Sequence, residues 1–280
     1  MIKTSRQLKD KVRNMSGSDS NKAQALIRNF IMERFLERIS LSEYKNNFIL
    51  KGGMLVSAVM GIDVRATMDI DTTVRALPLT LSEARKVVEN IIAVYVPDGV
   101  SFSITKSSEI MEGHEYPGLR FMLEARLDNM KQTIKSDIST GDVITPAAVM
   151  YSYKLMFENR TIPIWTYNLE TLLGEKIETI VVRGTANTRM RDFYDVHIIL
   201  SQEANNLKYD VLKEALRATS EKRGSTDLLA QAAEIMKDVL NSATMQKDWE
   251  NYKRESFFVG DLSWVQVVES VRGLIAESLV

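Results

Sequence analysis

The spacing of apolar residues changes near Asn168, and this change limits the folds open to the chain. Before it, short segments rich in alternating and β-branched residues follow one another, which is typical of strands. After it, apolar residues recur at helical spacing almost to the end, which indicates helices. The pattern predicts an α+β protein, with a mixed sheet and flanking helices over residues 1–167 and a helical bundle over residues 168–280.

Local patterns place the individual elements. "NNFILKGG" predicts a short buried strand that runs into a glycine turn, and "MDIDTTVRAL" predicts the next strand after one short helix. Further strands are predicted at 100–111, 118–128, 131–140, 150–157 and 161–167. Helices are predicted at 21–40, 53–61, 81–95, 168–183, 189–201, 208–220, 226–241 and 263–279. Ser18 or Asp19 is expected to cap the first helix, and Thr80 with Glu83 the third.

Composition excludes several classes of site. Cysteine is absent, so disulfides and thiolate metal sites are excluded, and with His114 and His197 as the only histidines a histidine-rich zinc site is disfavoured. The formal net charge is −1, so a nucleic-acid partner requires a local basic patch, such as "RATSEKRG" at 217–224. No segment is long and apolar enough to cross a membrane, and the N-terminus is too polar for a secretory signal. We therefore expect a cytoplasmic protein without membrane contact.

Two aspartates one residue apart mark the second predicted strand. Side chains at i and i+2 of a strand point to the same face, so Asp69 and Asp71 should stand side by side while Ile70 faces the core. Adjacent carboxylates repel each other unless a cation lies between them, and hard oxygen ligands suit Mg²⁺. The alternative is a solvated edge strand with two unrelated acids.

Gly52, Gly53 and Asp137 extend this pattern. Glycines before a helix let the backbone approach a ligand, and a helix N-terminus attracts phosphate, although a tight strand-to-helix turn would need the same glycines. Asp137, in "KQTIKSDISTGD", could add a third carboxylate from a neighbouring strand and act as general base, or simply end that strand.

Four segments in this order resemble a known family. They are "KGGMLVSAVMG", "RATMDID", "IKSDISTGD" and "GEKIETIVVRG…NTRMRDFYD", and together they span roughly residues 48–200. They resemble the AbiEii-like toxins, a branch of the polymerase-β-like nucleotidyltransferase superfamily found in abortive-infection and toxin–antitoxin systems. The resemblance implies a nucleotidyltransferase fold for residues 1–167. It implies transfer of a nucleotidyl group from an NTP to a hydroxyl, with Mg²⁺ or Mn²⁺ as cofactor. It also implies GTP or a pyrimidine NTP as donor, an RNA acceptor such as a tRNA 3′ end, and neutralisation by a cognate antitoxin.

The resemblance also implies roles for individual residues. The expected metal ligands are Asp69, Asp71 and Asp137. The expected catalytic residues are Asp69, Asp71, Asp137, Lys176, Asp192 and Asp195, with either Asp192 or Asp195 as the motif acid. The expected nucleotide-binding residues are Lys51, Gly52, Gly53, Arg65, Thr67, Lys176 and Arg189.

The residues of these helices also allow plainer interpretations. Lys176 lies at the margin of an apolar stripe, where a lysine usually extends to the surface. Asp192 and Asp195 could form surface ion pairs with neighbouring arginines, and His197 is expected to be packed rather than catalytic. Two other functions stay open: a nucleotide-binding protein without transferase activity, and a metal-dependent phosphohydrolase, which the scarcity of histidine disfavours.

Overall fold

A computed structural model describes residues 1–77, 80–110 and 118–279. His114 and the predicted end of the strand at Met111 lie outside the described residues. The chain divides into two compact units. The first comprises Met1–Ile62, Ala66–Asp142 and Val149–Thr166, and the second comprises Asp63–Arg65, Val143–Ala148 and Tyr167–Val280.

The first unit is built on a seven-stranded mixed sheet. Its strands are β1 (Phe48–Lys51), β2 (Asp69–Val74), β3 (Val100–Ile110), β4 (Gly118–Leu127), β5 (Met130–Thr140), β6 (Val149–Lys154) and β7 (Thr161–Thr166). Their order across the sheet is β3-β4-β5-β2-β1-β7-β6. β1 runs parallel to β7 and β2 runs parallel to β5, while the other neighbours are antiparallel. The predicted strands and the mixed sheet are confirmed.

Helices flank this sheet: α1 (Ser5–Ser16), α2 (Ser20–Leu41), α3 (Gly52–Met60) and α4 (Leu81–Ala93). Asp19 caps α2 by accepting the backbone N–H of Lys22, and Thr80 and Glu83 form a complete capping box on α4. Both caps were predicted. α1 was not, because its buried side is narrow and most of its other residues are charged.

One face of the sheet is apolar and buried, and this face packs against α2. Ile70, Phe121, Ile134 and Ile138 point into it, and each is at most 1% exposed. Burial of such a side chain stabilises the fold by roughly 1.5–3 kcal/mol. Because strand side chains alternate, the residues between them on β2, β4 and β5 must lie on the opposite face. That opposite face carries the acidic residues singled out in the sequence.

The second unit is helical. Its α-helices are α5 (Leu169–Arg183), α6 (Met190–Glu203), α7 (Tyr209–Arg223), α8 (Thr226–Leu229), α9 (Ala232–Asn241), α10 (Ala243–Glu255) and α11 (Trp264–Leu279). The helix predicted over 226–241 is interrupted between α8 and α9. α10 was not predicted, because Met245 and Trp249 are its only buried residues and leave a weak periodic signal. No helix in the described ranges is long and apolar enough to cross a membrane.

Candidate functional site

Four charged residues form a row across the polar face of the sheet. In the strand register Lys51 of β1 lies opposite Asp71 of β2, Asp71 lies beside Asp137 of β5, and Asp137 lies opposite Arg120 of β4. Asp69 stands two residues before Asp71 on the same face and is paired in register with Lys135. The three aspartates are half-buried, and the Ile70 side chain is fully buried on the other face. The sequence prediction that these carboxylates share one face is therefore confirmed.

Basic side chains contact Asp69 and Asp137. Lys135 Nζ lies 2.6 Å from Asp69 Oδ2. Arg120 donates to both oxygens of Asp137, from Nε at 2.9 Å and from Nη2 at 2.8 Å. These hydrogen bonds raise the pKa of Arg120, and the charges of Asp69 and Asp71 act in the same direction. The pairing orients Asp137 and offsets the repulsion between neighbouring carboxylates.

The donor chemistry of this face suits a divalent cation. Mg²⁺ and Mn²⁺ prefer carboxylate oxygens, and Asp69, Asp71 and Asp137 supply them without any histidine or cysteine. In the arrangement described, however, oxygens of Asp69 and Asp137 are directed at Lys135 and Arg120. Within the described ranges, no three His, Cys, Asp or Glu side chains come together as a metal site. A cation bound here would have to compete with those two basic residues.

The glycine turn lies directly against this acidic cluster. Gly52 begins α3 with a positive φ of 64°. A Cβ at Gly52 would lie 2.4 Å from Asp71 Oδ2, so no larger residue fits without a shift. Gly53 follows within the first turn of α3, and no side chain caps this helix N-terminus by a hydrogen bond. The glycine therefore permits a close approach of the α3 backbone to the Asp71 carboxylate.

Lys51 and Thr67 flank the cluster. Lys51 Nζ lies 2.5 Å from Asp142 Oδ2, and Ser139 Oγ donates to the same oxygen at 2.6 Å. Burial alone would raise the pKa of Asp142, but Lys51 and the hydrogen bonds outweigh it and lower the pKa to about 2. Thr67 lies just before β2, and its Oγ1 is 3.5 Å from the backbone oxygen of Asp69.

A second charged cluster is buried in the helical unit. Lys176 Nζ lies 2.8 Å from Asp192 Oδ1 and 2.7 Å from Asp195 Oδ2. Arg65 Nε donates to Asp195 Oδ1 at 2.5 Å, and its guanidinium lies 5.7 Å from the centre of the Phe258 ring. The plainer alternative of surface positions for Lys176, Asp192 and Asp195 does not hold, because they are 7%, 6% and 0% exposed.

Electrostatics favours the charged forms in this cluster. Burial would lower the pKa of Lys176, but the adjacent charges of Asp192 and Asp195 raise it. Burial would raise the pKa of Asp195, but Arg65 and Lys176 lower it. A buried ion cluster of this kind is costly to break, because removal of one partner leaves the others uncompensated. The burial of Lys176 could not be predicted from the sequence, since the apolar stripe of α5 does not show which other elements pack over the residues beside it.

The remaining predicted residues lie elsewhere on the helical unit. Arg189 is exposed at the start of α6, where its backbone N–H donates to Asn187 Oδ1. His197 Nδ1 lies 2.8 Å from Ser270 Oγ, and burial lowers the pKa of its imidazole, as expected of a packed histidine. In the basic segment 217–224, Arg223 forms ion pairs with Glu175 and Glu178, so this cation is already compensated within the fold.

Arg120, Lys135 and Asp142 belong to the site but were not predicted as site residues from the sequence. A two-residue turn joins β4 to β5, since Leu127 pairs with Met130. Counting back along both strands from that turn places Arg120 opposite Asp137. The signal was therefore present in the hairpin. Lys135 could be found in the same way as Asp71, because it shares a strand face with Asp137.

Comparison with known proteins agrees with this geometry. Residues 34–270 match the family described as nucleotidyl transferase AbiEii toxin, type IV toxin–antitoxin system. No curated protein matched the chain. Among solved structures, JHP933 from Helicobacter pylori is similar with a TM-score of 0.51 and 15% identity, covering 91% of this chain and 90% of its own.

A putative nucleotidyltransferase from H. pylori is similar with a TM-score of 0.50 and 15% identity, covering 91% of this chain and 93% of its own. At such low identity the two structures support the fold only, and that fold is the one expected of a nucleotidyltransferase. The family match extends over most of the chain and includes both charged clusters. The chain therefore belongs to the AbiEii family of nucleotidyltransferase toxins.

Proposed function

We propose that this nucleotidyltransferase is metal-dependent and uses the polar face of the sheet to transfer a nucleotidyl group from an NTP to an RNA hydroxyl. Asp69, Asp71 and Asp137 would hold Mg²⁺ or Mn²⁺. The bound cation would supply charge neutralisation and alignment of the triphosphate. The single observation that carries the proposal is the close contact of Gly52 with Asp71, which sets a helix N-terminus beside the row of carboxylates.

The residues of the face have complementary roles in this proposal. Backbone N–H groups at the start of α3, made approachable by Gly52 and Gly53, would bind phosphate oxygens. Asp137 would accept the proton of the attacking hydroxyl, and Arg120 would hold Asp137 in orientation through its two hydrogen bonds. The hydroxyl oxygen forms the new bond to the α-phosphorus, the bond to the β-phosphate oxygen breaks, and pyrophosphate leaves.

The acceptor, the donor base and the antitoxin belong to the same proposal. The family's membership in toxin–antitoxin systems supports a cognate antitoxin that neutralises the protein. We propose the 3′ end of tRNA as acceptor, with GTP or a pyrimidine NTP as donor. We also propose that Lys51, Arg65, Thr67, Lys176 and Arg189 contribute to nucleotide binding and that Lys176, Asp192 and Asp195 support catalysis.

The test is transfer of radiolabel from each α-³²P NTP to total tRNA in the presence of Mg²⁺ or Mn²⁺, with chelator added in a parallel series. We expect label in the RNA with one NTP and a divalent metal. Asp71→Asn should abolish the transfer while the melting temperature stays near that of the wild type. A suitable matched control is Glu43→Gln, which removes an exposed acid of the same unit outside the row.

Three results would contradict the proposal. Transfer that persists in chelator would remove the metal from it. Binding of NTP without transfer to any RNA would favour the alternative of a nucleotide-binding protein that has lost the reaction. A sharp drop in the melting temperature of Asp71→Asn would instead assign a structural role to the carboxylate.

A further inference from the structure

A groove separate from the carboxylates of Asp69, Asp71 and Asp137 lies between α1 and the turn that joins β6 to β7. Its volume is about 450 Å³, which is in the range of small-ligand sites. Its walls include one aromatic ring, two asparagines and two lysines: Phe157, Asn14, Asn159, Lys11 and Lys154. All of these residues belong to the first unit.

The helix beside the groove carries an excess of positive charge. Residues 3–13 contain five basic side chains and one acid, Asp10, in a protein whose formal net charge is −1. The five bases are exposed, and within the described ranges none has an acidic side chain as an ion-pair partner: Lys3, Arg6, Lys9, Lys11 and Arg13. Lys11 lines the groove, whereas the spacing of Arg6, Lys9 and Arg13 places these three on another flank of α1. The helix is thus an uncompensated basic surface.

The acid that lines the groove does not oppose an anion strongly. Glu158 Oε1 lies 3.1 Å from Arg34 Nη1, and Glu158 Oε2 lies 2.5 Å from Arg160 Nε. The Glu158 side chain is 7% exposed. Arg34 and Arg160 thus hold this carboxylate within the fold, although both arginines also pair with Glu37. The exposed charges that a ligand meets at the groove are those of Lys11 and Lys154.

The groove also presents a fixed aromatic surface. Phe157 is half-exposed, and its ring packs at 6.2 Å between centroids on Phe30 of α2. Unpaired bases stack on such rings, and lysines beside them contact the phosphates of the same strand. Asparagine side chains can both donate to and accept from the edge of a base. This combination fits an unpaired nucleotide better than it fits a duplex, whose bases are stacked on one another.

We propose that this groove binds an unpaired nucleotide of single-stranded RNA and that the excess positive charge of residues 3–13 attracts the phosphates of the strand. The proposal rests on the RNA acceptor of the proposed function and adds a docking site for it outside the carboxylate row. Lys11 and Lys154 contact phosphate, Phe157 stacks on the base, and Asn14 and Asn159 contact its edge.

The test measures binding of a short fluorescein-labelled oligouridylate to the full chain by fluorescence anisotropy at several salt concentrations. Lys11→Glu with Lys154→Glu should weaken binding at least tenfold at low salt. Replacement of both lysines by alanine should weaken the salt dependence. The negative slope of log affinity against log salt should become smaller in magnitude by about 1.4, since each phosphate contact contributes about 0.7 for single strands. Phe157→Leu keeps an apolar contact with Phe30 but removes the stacking surface, and it should weaken binding at least fivefold.

The control exchanges charge elsewhere on the same unit. Lys86→Glu with Lys106→Glu changes the net charge equally at exposed positions outside the groove, and it should alter the affinity less than twofold. Melting curves of every variant establish that the fold is retained. A duplex of the same length and free UMP form two further arms, and both should bind more weakly than the oligouridylate.

The outcomes separate this site from the proposed function. If oligouridylate binds equally to wild type and to the Lys11→Glu, Lys154→Glu variant, or if the control pair weakens binding as much, the groove is not the RNA site. An acidic protein segment would then be the better occupant. If binding depends on the groove but label is not transferred to RNA, the RNA-binding groove is supported and the proposed RNA acceptor is contradicted. If wild type and the Lys11→Glu, Lys154→Glu variant transfer label to RNA equally, the RNA acceptor is supported and the groove is overturned as its docking site.

Discussion

Individual charges in the interior are the least expected feature at the residue scale. Glu33 of α2 is 2% exposed and accepts hydrogen bonds from the backbone N–H of Met156 and from Asn29. Burial raises its pKa from 4.5 to about 7, although the hydrogen bonds and the neighbouring Arg34 act in the opposite direction. The folded state therefore binds a proton here at pH values where the unfolded chain has lost it.

The stability of the protein should respond to this carboxyl group. Between pH 4.5 and about 7 the Glu33 contribution to the free energy of unfolding should fall as pH rises, because the folded state binds more protons than the unfolded state. Glu33→Gln should flatten this slope and stabilise the protein at pH 8 by up to about 3 kcal/mol. Urea denaturation at several pH values measures it, with Glu43→Gln as the exposed control. Parallel curves for wild type and Glu33→Gln would contradict the prediction.

Lys176 should contribute far more to stability than a surface lysine. It is 7% exposed and contacts both Asp192 and Asp195, so its removal leaves buried carboxylates undercompensated. We expect Lys176→Met to lower the free energy of unfolding by about 3–5 kcal/mol. Lys237→Met, at an exposed position of α9, should change it by less than about 0.5 kcal/mol. Equal midpoints in urea for the two variants would show that the cluster is not stabilising.

At the scale of elements, two strand junctions assemble the polar face. The two-residue turn between β4 and β5 brings Arg120 opposite Asp137, and the β1–α3 junction brings Gly52 against Asp71. A shift of one residue in either strand would turn these side chains to the buried face. The hairpin register and the glycine turn therefore position the cluster as much as the aspartates themselves do.

A pair of glycine substitutions separates backbone strain from the contact with Asp71. Gly52 and Gly17 have φ values of 64° and 58°, but only Gly52 has an atom within 4 Å of an added Cβ. Each alanine should cost about 1–3 kcal/mol for its positive φ. Gly52→Ala should in addition displace Asp71 and reduce nucleotidyl transfer at least tenfold, while Gly17→Ala keeps wild-type transfer. Melting curves and the radiolabel assay measure both effects, and similar activity in both variants would argue against the role of this contact.

At the scale of the whole molecule, charge is distributed unevenly although its sum is near zero. α1 is basic, the polar sheet face holds both acids and bases, and the helical unit encloses its own ion cluster. Net charge alone would not suggest contact with nucleic acid. The local distribution gives α1 a basic surface of the kind that attracts phosphate.

Expression of the protein in bacteria without an antitoxin should arrest growth, and the arrest should require the carboxylates on the polar face of the sheet. We expect Asp69→Asn, Asp71→Asn and Asp137→Asn combined to abolish it, because the proposed metal ligands and general base are then lost. The control combines Asp10→Asn, Glu43→Gln and Glu109→Gln, which changes the charge equally at exposed positions. Growth curves and sequencing of tRNA 3′ ends provide the measurements. Equal arrest by both triple variants would exclude enzymatic toxicity, and arrest with unaltered tRNA ends would assign the acceptor to another molecule.

The sequence by itself determined the order along the chain of the strands and of the helices other than α1 and α10, the strand face of Asp69 and Asp71, the capping of α2 and α4, and the family. These features depend on neighbours in the chain, where alternation, helical spacing and turn residues act locally. The register of the β4–β5 hairpin would also have placed Arg120 beside Asp137, because a two-residue turn determines which residues pair along the two strands.

Only the tertiary structure decided which charges are covered. Lys176 at the margin of a stripe, Glu33 within a helix, and Arg223 in a basic segment all have ordinary surface patterns, yet each is paired through residues distant in sequence. Burial and ion pairing depend on elements brought together by folding, and their energies grow as water is excluded. The periodicity of one helix indicates its apolar side but not the depth at which its polar margin will lie.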